Sequence, residues 1–286
     1  MRARLGLVGA IASLVLAAAA QGGDEQALLL ATTTSVQDSG LLEALLPEFE
    51  KASGIRTRVV AVGSGAALEM GVRGDADLVL SHAPETEQRL LAEGAFVSRR
   101  PFLENFFVIA GPPEDPARVR DAASAPEALR RIAEARAPWV SRGDDSGTHQ
   151  RERALLEAAG LGRDARWEGF SSTGAGMGIT LQVAGEKRAY TLSDLGTFLA
   201  FRTRIGLEAL SKEEASLRNE YSILRPNPER LPAGRAPATA AAERFEAFLL
   251  DPATRARIAA FGADRFGRAL FTPLAPTAAG APGPGS

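Results

Sequence analysis

The chain predicts an α/β fold with mainly parallel sheets, on three observations. Short apolar or β-branched runs alternate with amphipathic helical segments along most of its length. Several of those runs are continuously apolar, the pattern of strands buried on both faces. Between them lie turns rich in Gly, Ser and Thr that open helices, as βαβ connections require. At 286 residues the chain can bury a large core and suggests two lobes.

The first twenty residues stand outside that pattern. Arg2 and Arg4 precede an apolar stretch over residues 5–16, and Ala18-Ala19-Ala20 offers a small-residue cleavage site, so residues 1–20 read as a secretory signal peptide. The apolar run is too short, and too quickly followed by Gln21-Gly22-Gly23-Asp24, to span a bilayer. The chain has no cysteine, hence no disulfide, no lipid-bearing cysteine, no thiolate metal site and no Cys nucleophile. A soluble periplasmic protein is the expectation. Without Arg2 and Arg4, 31 basic residues face 35 acidic ones, a net charge of −4. That balance excludes a nucleic-acid or membrane surface, so any anion binding must be local, inside a cleft.

In chain order, residues 27–31 are a buried strand that stops in four hydroxyls, Thr32-Thr33-Thr34-Ser35, read as a strand-to-helix loop. Asp38-Ser39 caps a helix with Leu41, Leu42, Leu45, Leu46 and Phe49 on its apolar face. Residues 55–62 alternate and are β-branched, a strand, and Gly63-Ser64-Gly65 then opens a short helix. Residues 77–84 form a strand running into a loop, where the lone His82 reads as structural rather than as a ligand. Residues 106–110 are another buried strand, and residues 126–135 a surface helix. Further on, Gly174-Ala175-Gly176-Met177-Gly178 precedes an apolar-periodic segment with Ile179, Leu181 and Val183. Met177 fits the core or a cover over a ligand, with the core favoured. Residues 189–194 end a strand before a capped helix, residues 222–228 read as a strand leaving a domain, and two amphipathic helices over 240–250 and 252–261 close the fold. From Thr272 onward Pro, Ala and Gly without periodicity predict a disordered tail, residues 272–286.

The stretch richest in chemistry is Ser141-Arg142-Gly143-Asp144-Asp145-Ser146-Gly147-Thr148-His149, between a strand end at Trp139-Val140 and a helix carrying Leu155 and Leu156. A helix start offers unpaired N–H groups and partial positive charge; glycines let an oxyanion approach, and Arg142 adds a planar charged fork. The plainer alternative is a capped helix whose Arg142 pairs with Asp144 or Asp145, and this stretch alone does not separate the two. In α/β folds, however, ligands gather beyond the carboxyl ends of strands. Four small-residue turns, at Thr33, Ser64, Ser146 and Gly176, share that position and that chemistry.

Together these segments resemble the tungstate-binding periplasmic proteins of ABC importers, within the type II periplasmic-binding-protein superfamily. The resemblance is carried by residues 32–42, 62–68, 141–149, 174–178 and 186–194, with Ser64 standing where a Thr is common. It implies a two-lobed α/β fold with two crossover strands, near residues 106–110 and 222–225. Lobe 1 is then residues 27–106 with 223–271, and lobe 2 residues 107–222. It implies capture of one tetrahedral oxyanion, tungstate or else molybdate. Thr33, Thr34, Ser35 and Ser64 would come from the first lobe, and Arg142, Ser146, Gly147 and Thr148 from the second, with Gly176, Met177 and Gly178 nearby. An inner-membrane ABC permease and its ATPase are the implied partners of a monomeric carrier without cofactor or catalytic residue.

The residues themselves do not choose the anion. Hydrogen phosphate gains from a carboxylate acceptor in the pocket, whereas sulfate, molybdate and tungstate are repelled by one. Asp144 and Asp145 are therefore the ambiguous positions, expected to cap the helix or orient Arg142 and to face away. A phosphate or sulfate carrier stays open as the alternative. A serine hydrolase built on Ser146, His149 and an Asp is remote, because Ser and His three apart at a helix start do not reach one another in triad geometry. A metal-cation carrier wants clustered His and carboxylates, and His82 and His149 fall in different lobes.

Overall fold

The apolar runs become strands because both their faces are covered. In the computed structural model, which describes residues 27–234 and 237–275, β1 (Leu28–Thr33) lies between β2 (Thr57–Val62) and β3 (Leu78–Ser81), parallel to both. Leu28, Leu30, Ala31, Leu78, Val79 and Leu80 are sealed from solvent, as strands in a doubly covered sheet must be. The expected signal peptide lies outside the described residues. Helices α1 (Thr34–Ser39) and α2 (Leu41–Ser53) follow β1, α3 (Ser64–Arg73) follows β2, and α4 (Pro84–Ala92) follows β3. Leu41, Leu42, Leu45 and Phe49 form the buried face of α2. The helix stops at Gly54, whose φ of 76° is a left-handed value that side chains resist. The hydroxyl run departs from expectation. Thr32 and Thr33 finish β1 and Thr34 opens α1, so no loop separates strand from helix.

β4 (Phe96–Gly111) carries the chain into the second lobe. That lobe holds α5 (Ala125–Glu134), β5 (Trp139–Ser141), α6 (Gly147–Ala158), β6 (Phe170–Ser172), α7 (Met177–Glu186), β7 (Thr191–Asp194), α8 (Leu195–Ile205) and β8 (Glu208–Ala209). β9 (Arg218–Pro226) returns alongside β4, antiparallel from Phe96 opposite Pro226 to Phe106 opposite Arg218. From Phe107 onward β4 pairs instead with β7, and then with β8. β9 pairs with β3 from Ser222 to Leu224. The pairs among β1, β2 and β3, and between β5 and β6, are parallel, whereas the long strands β4 and β9 pair antiparallel with each other and with β3, β7 and β8. Glu87 of α4, fully buried, pairs with Arg99 of β4 at 2.8 Å, and Arg99 reaches Glu220 of β9 at 2.7 Å. The start of α4 is thereby tied to both crossover strands.

The second lobe has its own core of Phe107, Ile109, Ile132, Trp139, Leu156, Tyr190 and Leu217. A larger apolar cluster runs from α2 through Phe102, Leu103 and Tyr221 into α7 and α8. It also takes in α9 (Thr239–Leu250) and α10 (Pro252–Ala260), with Phe245 edge-on to Phe49 at 4.8 Å. Two expectations fail here. Ile179, placed on the apolar face of α7, is 55% exposed, and Thr180 takes the buried position. The tail does not begin at Thr272: after α11 (Ala263–Phe266), β10 (Thr272–Pro273) pairs with β4 opposite Glu104 and Leu103. An edge strand offers unpaired backbone groups and tolerates a proline, which composition alone does not reveal. The rest of the expected tail, beyond residue 275, lies outside the described residues.

Candidate functional site

Four helices start beyond strand ends, and their starts are built differently. At α1 the Thr33 hydroxyl accepts the Val36 N–H at 3.4 Å and lies 3.1 Å from the Ser35 hydroxyl, while Thr34 is partly exposed. At α3 the cap residue is Gly63, which has no side-chain acceptor for the first-turn N–H groups. Ser64, the first helical residue, is fully buried and its Oγ has no hydrogen-bond partner. At α6 Ser146 caps in the ordinary way, its hydroxyl accepting the His149 N–H at 3.3 Å. Thr148 beside it is 1% exposed with an unpartnered Oγ1. At α7 the cap is again a glycine, Gly176, without a side-chain hydrogen bond. Glycine caps and free first-turn N–H groups are what an anion uses.

Two of these starts meet across the lobes. A Cβ built on Gly63 would lie 3.8 Å from Ser146 Cα, so the start of α3 faces the start of α6. Arg142 is 3% exposed and donates to Asp144 Oδ2 at 2.5 Å, while its Nε has no partner. Its positive charge acts on Asp38, His82 and Asp194, which lie on three different elements. Asp144 turns both oxygens inward on its own loop, taking Arg142 with one and the Ser146 N–H, at 3.2 Å, with the other. The Asp145 side chain is 83% exposed and stands near His149 and Arg153. Arg142 thus makes the capped-helix pairing with Asp144, which orients its guanidinium and leaves Nε without a protein partner.

The third glycine turn is different. Met177 is fully buried among Leu181, Ala184 and Phe198, so its side chain is core and only its backbone N–H remains for a ligand. Gly178 is small for packing: a Cβ there would lie 2.7 Å from Phe201 Cζ. A Cβ on Gly176 would meet nothing within 4 Å. α7 lies against α1 and α8, and the turn that opens it is tied to the Arg142 loop, the Gly174 N–H donating to the Arg142 carbonyl at 2.8 Å.

Three further buried polar groups stand around the site: His82 and Asp194, read from the sequence as structural and as a helix cap, and Glu152, which the sequence did not single out. His82 is 6% exposed, its Nδ1 lies 2.8 Å from Asn219 Oδ1, and its ring stacks on Tyr221 at 5.0 Å. Burial, with smaller contributions from Arg142 and Arg151, brings its pKa down to about 4 against the Asn219 bond, so the imidazole is neutral. Asp194 caps α8 by accepting the Thr197 N–H at 2.9 Å, and its second oxygen is buried and unpartnered. Burial raises its pKa, with Arg142 pulling the other way. Glu152, 2% exposed in α6, is pushed up to about 7 by burial, although Ser141, Trp139 and Arg166 favour its ionised form. His82 follows β3 and Asp194 ends β7, the same signal that marked the four turns. A lone His and an ordinary cap carry no pattern of their own.

The hydrolase geometry is missing where it would have to be. The Ser146 hydroxyl is engaged with the backbone of His149, and His149 Nδ1 accepts the Asp145 N–H at 3.1 Å. Among the described residues no group of three His, Asp or Glu side chains is placed to hold a metal ion.

Comparison with known proteins agrees with this architecture. Residues 18–252 match the PBP superfamily domain. The tungstate-binding protein TupA of Peptoclostridium acidaminophilum is 38% identical over 246 residues, 85% of this chain and 84% of the relative. TupA of Campylobacter jejuni is 34% identical over 199 residues, covering 68% of this chain and 73% of the relative. Among solved structures, TupA from Desulfovibrio alaskensis G20 superposes with a TM-score of 0.74 at 38% identity, covering 87% of this chain and 99% of that one. The tungstate ABC transporter structure from Geobacter sulfurreducens gives 0.72 at 40% identity, covering 80% and 96%. A periplasmic-binding-protein domain match over most of the chain, with relatives of this similarity and coverage, makes the chain a member of the PBP superfamily and, within it, of the TupA family.

Proposed function

We propose that the chain is the solute-binding component of an ABC importer, capturing a tetrahedral oxyanion between its lobes, tungstate first and molybdate next. The observation that carries this reading is a set of buried donors without internal partners: Ser64 Oγ at the start of α3, Thr148 Oγ1 in the first turn of α6, and Arg142 Nε in the turn before it. They belong to both lobes, at helix starts that face one another. Fixed donors suit an anion that carries no proton of its own. Charge-assisted hydrogen bonds contribute about 1.5–3 kcal/mol each, and micromolar capture needs about −8 kcal/mol. Six to eight such bonds amount to roughly 10–20 kcal/mol gross, sufficient after desolvation and closure are subtracted. Arg142, partly neutralised by Asp144, supplies the charge, and uncharged groups supply the geometry.

The same reading includes a periplasmic monomer with an inner-membrane permease and its ATPase as partners. Tungstate and molybdate have nearly the same size and charge, so the preference for tungstate is supported by the names of the relatives and not by these residues. Sulfate fits the same donor set. Hydrogen phosphate is favoured by one feature, the unpartnered Oδ2 of Asp194 within electrostatic reach of Arg142.

The test is a titration of the mature, anion-stripped protein with tungstate, molybdate, sulfate and phosphate, by calorimetry and thermal shift, beside Arg142→Ala. Tungstate is expected to give the largest stabilisation, following ln(1 + [L]/Kd), and Arg142→Ala to lose at least about tenfold in affinity, the factor for one charge-assisted bond. A preference for phosphate would transfer the assignment to a protonated anion read by Asp194. No response to any of the four would overturn the carrier reading.

A further inference from the structure

Resting on that reading, we propose that His82 is a positioning residue: its imidazole is the stop against which Gly147 docks when the lobes close, setting where the α6 donors stand relative to Ser64. Four observations lead there. First, a Cβ on Gly147 would lie 2.6 Å from His82 Cε1 and 2.9 Å from both ring nitrogens. Gly147 is the first residue of α6 and has no positive φ, so its backbone does not demand glycine. The ring does.

Second, the contact joins the lobes. His82 immediately follows β3 in the first, while Gly147 opens α6 in the second, next to the unpartnered Thr148 hydroxyl. Third, the ring is held from behind. Asn219 Nδ2 donates to Asn105 Oδ1 at 2.8 Å and to the Tyr221 hydroxyl at 2.9 Å, which leaves Asn219 Oδ1 as the acceptor and puts the His82 hydrogen on Nδ1. Asn105 lies on β4, and Asn219 and Tyr221 lie on β9, so the stop is braced on both crossover strands. Fourth, the ring lies flat on Tyr221, within 24° of its plane, and Glu87 accepts the Ala83 N–H one residue on. A side chain fixed on so many sides cannot swing away to admit a methyl group. Closure then has one end point, and the first-turn N–H groups of α6 arrive at a defined distance from those of α3.

The experiment is a double-mutant cycle on full mature protein: wild type, Gly147→Ala, His82→Ala and the pair, each titrated with tungstate and measured by small-angle scattering with and without it. Circular dichroism and thermal melting establish folding, and His82→Ser, which keeps a hydroxyl towards Asn219, is a second rescue background. Gly147→Ala is expected to weaken tungstate at least tenfold, chiefly through faster release, and to leave the loaded protein more extended than wild type. Removing the ring should make room for the methyl, so the pair should recover most of that loss and the compact loaded form. If wild type binds tungstate but neither double variant regains affinity over Gly147→Ala, the methyl acts on the anion or on the helix itself and the stop is wrong. If Gly147→Ala binds and compacts as wild type does, it is wrong as well. If wild type binds none of the four oxyanions, the carrier reading fails, and the positioning role falls with it.

Discussion

Glu152 offers a perturbation whose size follows from its surroundings. It is 2% exposed, and burial raises its pKa from 4.5 to about 7. The folded protein therefore holds a proton that the unfolded chain releases. The resulting stability is complete below pH 4.5, declines between 4.5 and 7, and is gone once pH has risen through 7. Over such a span the change is about 3 kcal/mol, at about 1.4 kcal/mol per pH unit. Glu152→Gln keeps the shape and removes the titration. The stability of the variant minus that of wild type should be constant below pH 4.5, climb through 7 by about that amount, and level off. His82 runs the other way. Its folded pKa of about 4 lies below the ordinary 6.5, so its contribution is complete above 6.5 and is lost as pH falls towards 4. In wild type the two slopes oppose between 4.5 and 6.5, and the Gln variant removes the Glu152 slope from that sum. Urea unfolding of both proteins at half-unit steps from pH 4 to 8 measures the difference directly. A difference flat to within about 0.5 kcal/mol, against the one-unit equivalence of 1.4, or one that falls with pH, would refute the reasoning.

Two other substitutions separate the roles of groups around the site. Asp144→Asn should destabilise the anion-free protein by about 3 kcal/mol, because it leaves the Arg142 guanidinium buried without its counter-charge. Saturating tungstate replaces that charge, so the ligand-induced rise in Tm should exceed that of wild type; thermal melts with and without tungstate check both. Gly178→Ala should lower stability by about 1–3 kcal/mol through overpacking against Phe201, with recovery in the pair with Phe201→Leu. Calorimetry on the folded variant should return an unchanged tungstate Kd, since its N–H is retained.

The order of strands and helices was legible because each element carries its own period: the buried leucines of β1, the alternating residues of β2 and the apolar stripe of α2 are local signals. The starts of α3 and α6 were legible for the same reason, as small residues placed just after strands. What the sequence hid is non-local. Gly178 looks like the glycines around it, and only packing shows that it makes room for Phe201, while the core role the sequence favoured for Met177 is the one its burial shows. The braced His82 draws on Asn105, Asn219 and Tyr221, which no short motif contains. Thr272 and Pro273 become a strand only because β4 has a free edge beside them.

The hydroxyls also show why counting them in a motif ranks them poorly. Thr33, Ser35 and Ser146 all have partners inside the protein, as caps or to each other, so an anion that used them would have to share them. Ser64 and Thr148 are buried with nothing to bond, and so is Arg142 Nε. A buried polar group left unsatisfied costs about 1–3 kcal/mol. Each of the three therefore makes the anion-free closed form less favourable than its packing alone would give. Opening lets water reach them; under the proposed function an oxyanion held between the lobes would satisfy them together without opening. The groups that favour the loaded closed state are thus the same groups that penalise the empty one, and the open–closed equilibrium acquires its dependence on ligand from that difference. On this argument a hydroxyl already bonded to its own helix contributes to holding the fold, and only an unbonded one contributes strongly to the switch.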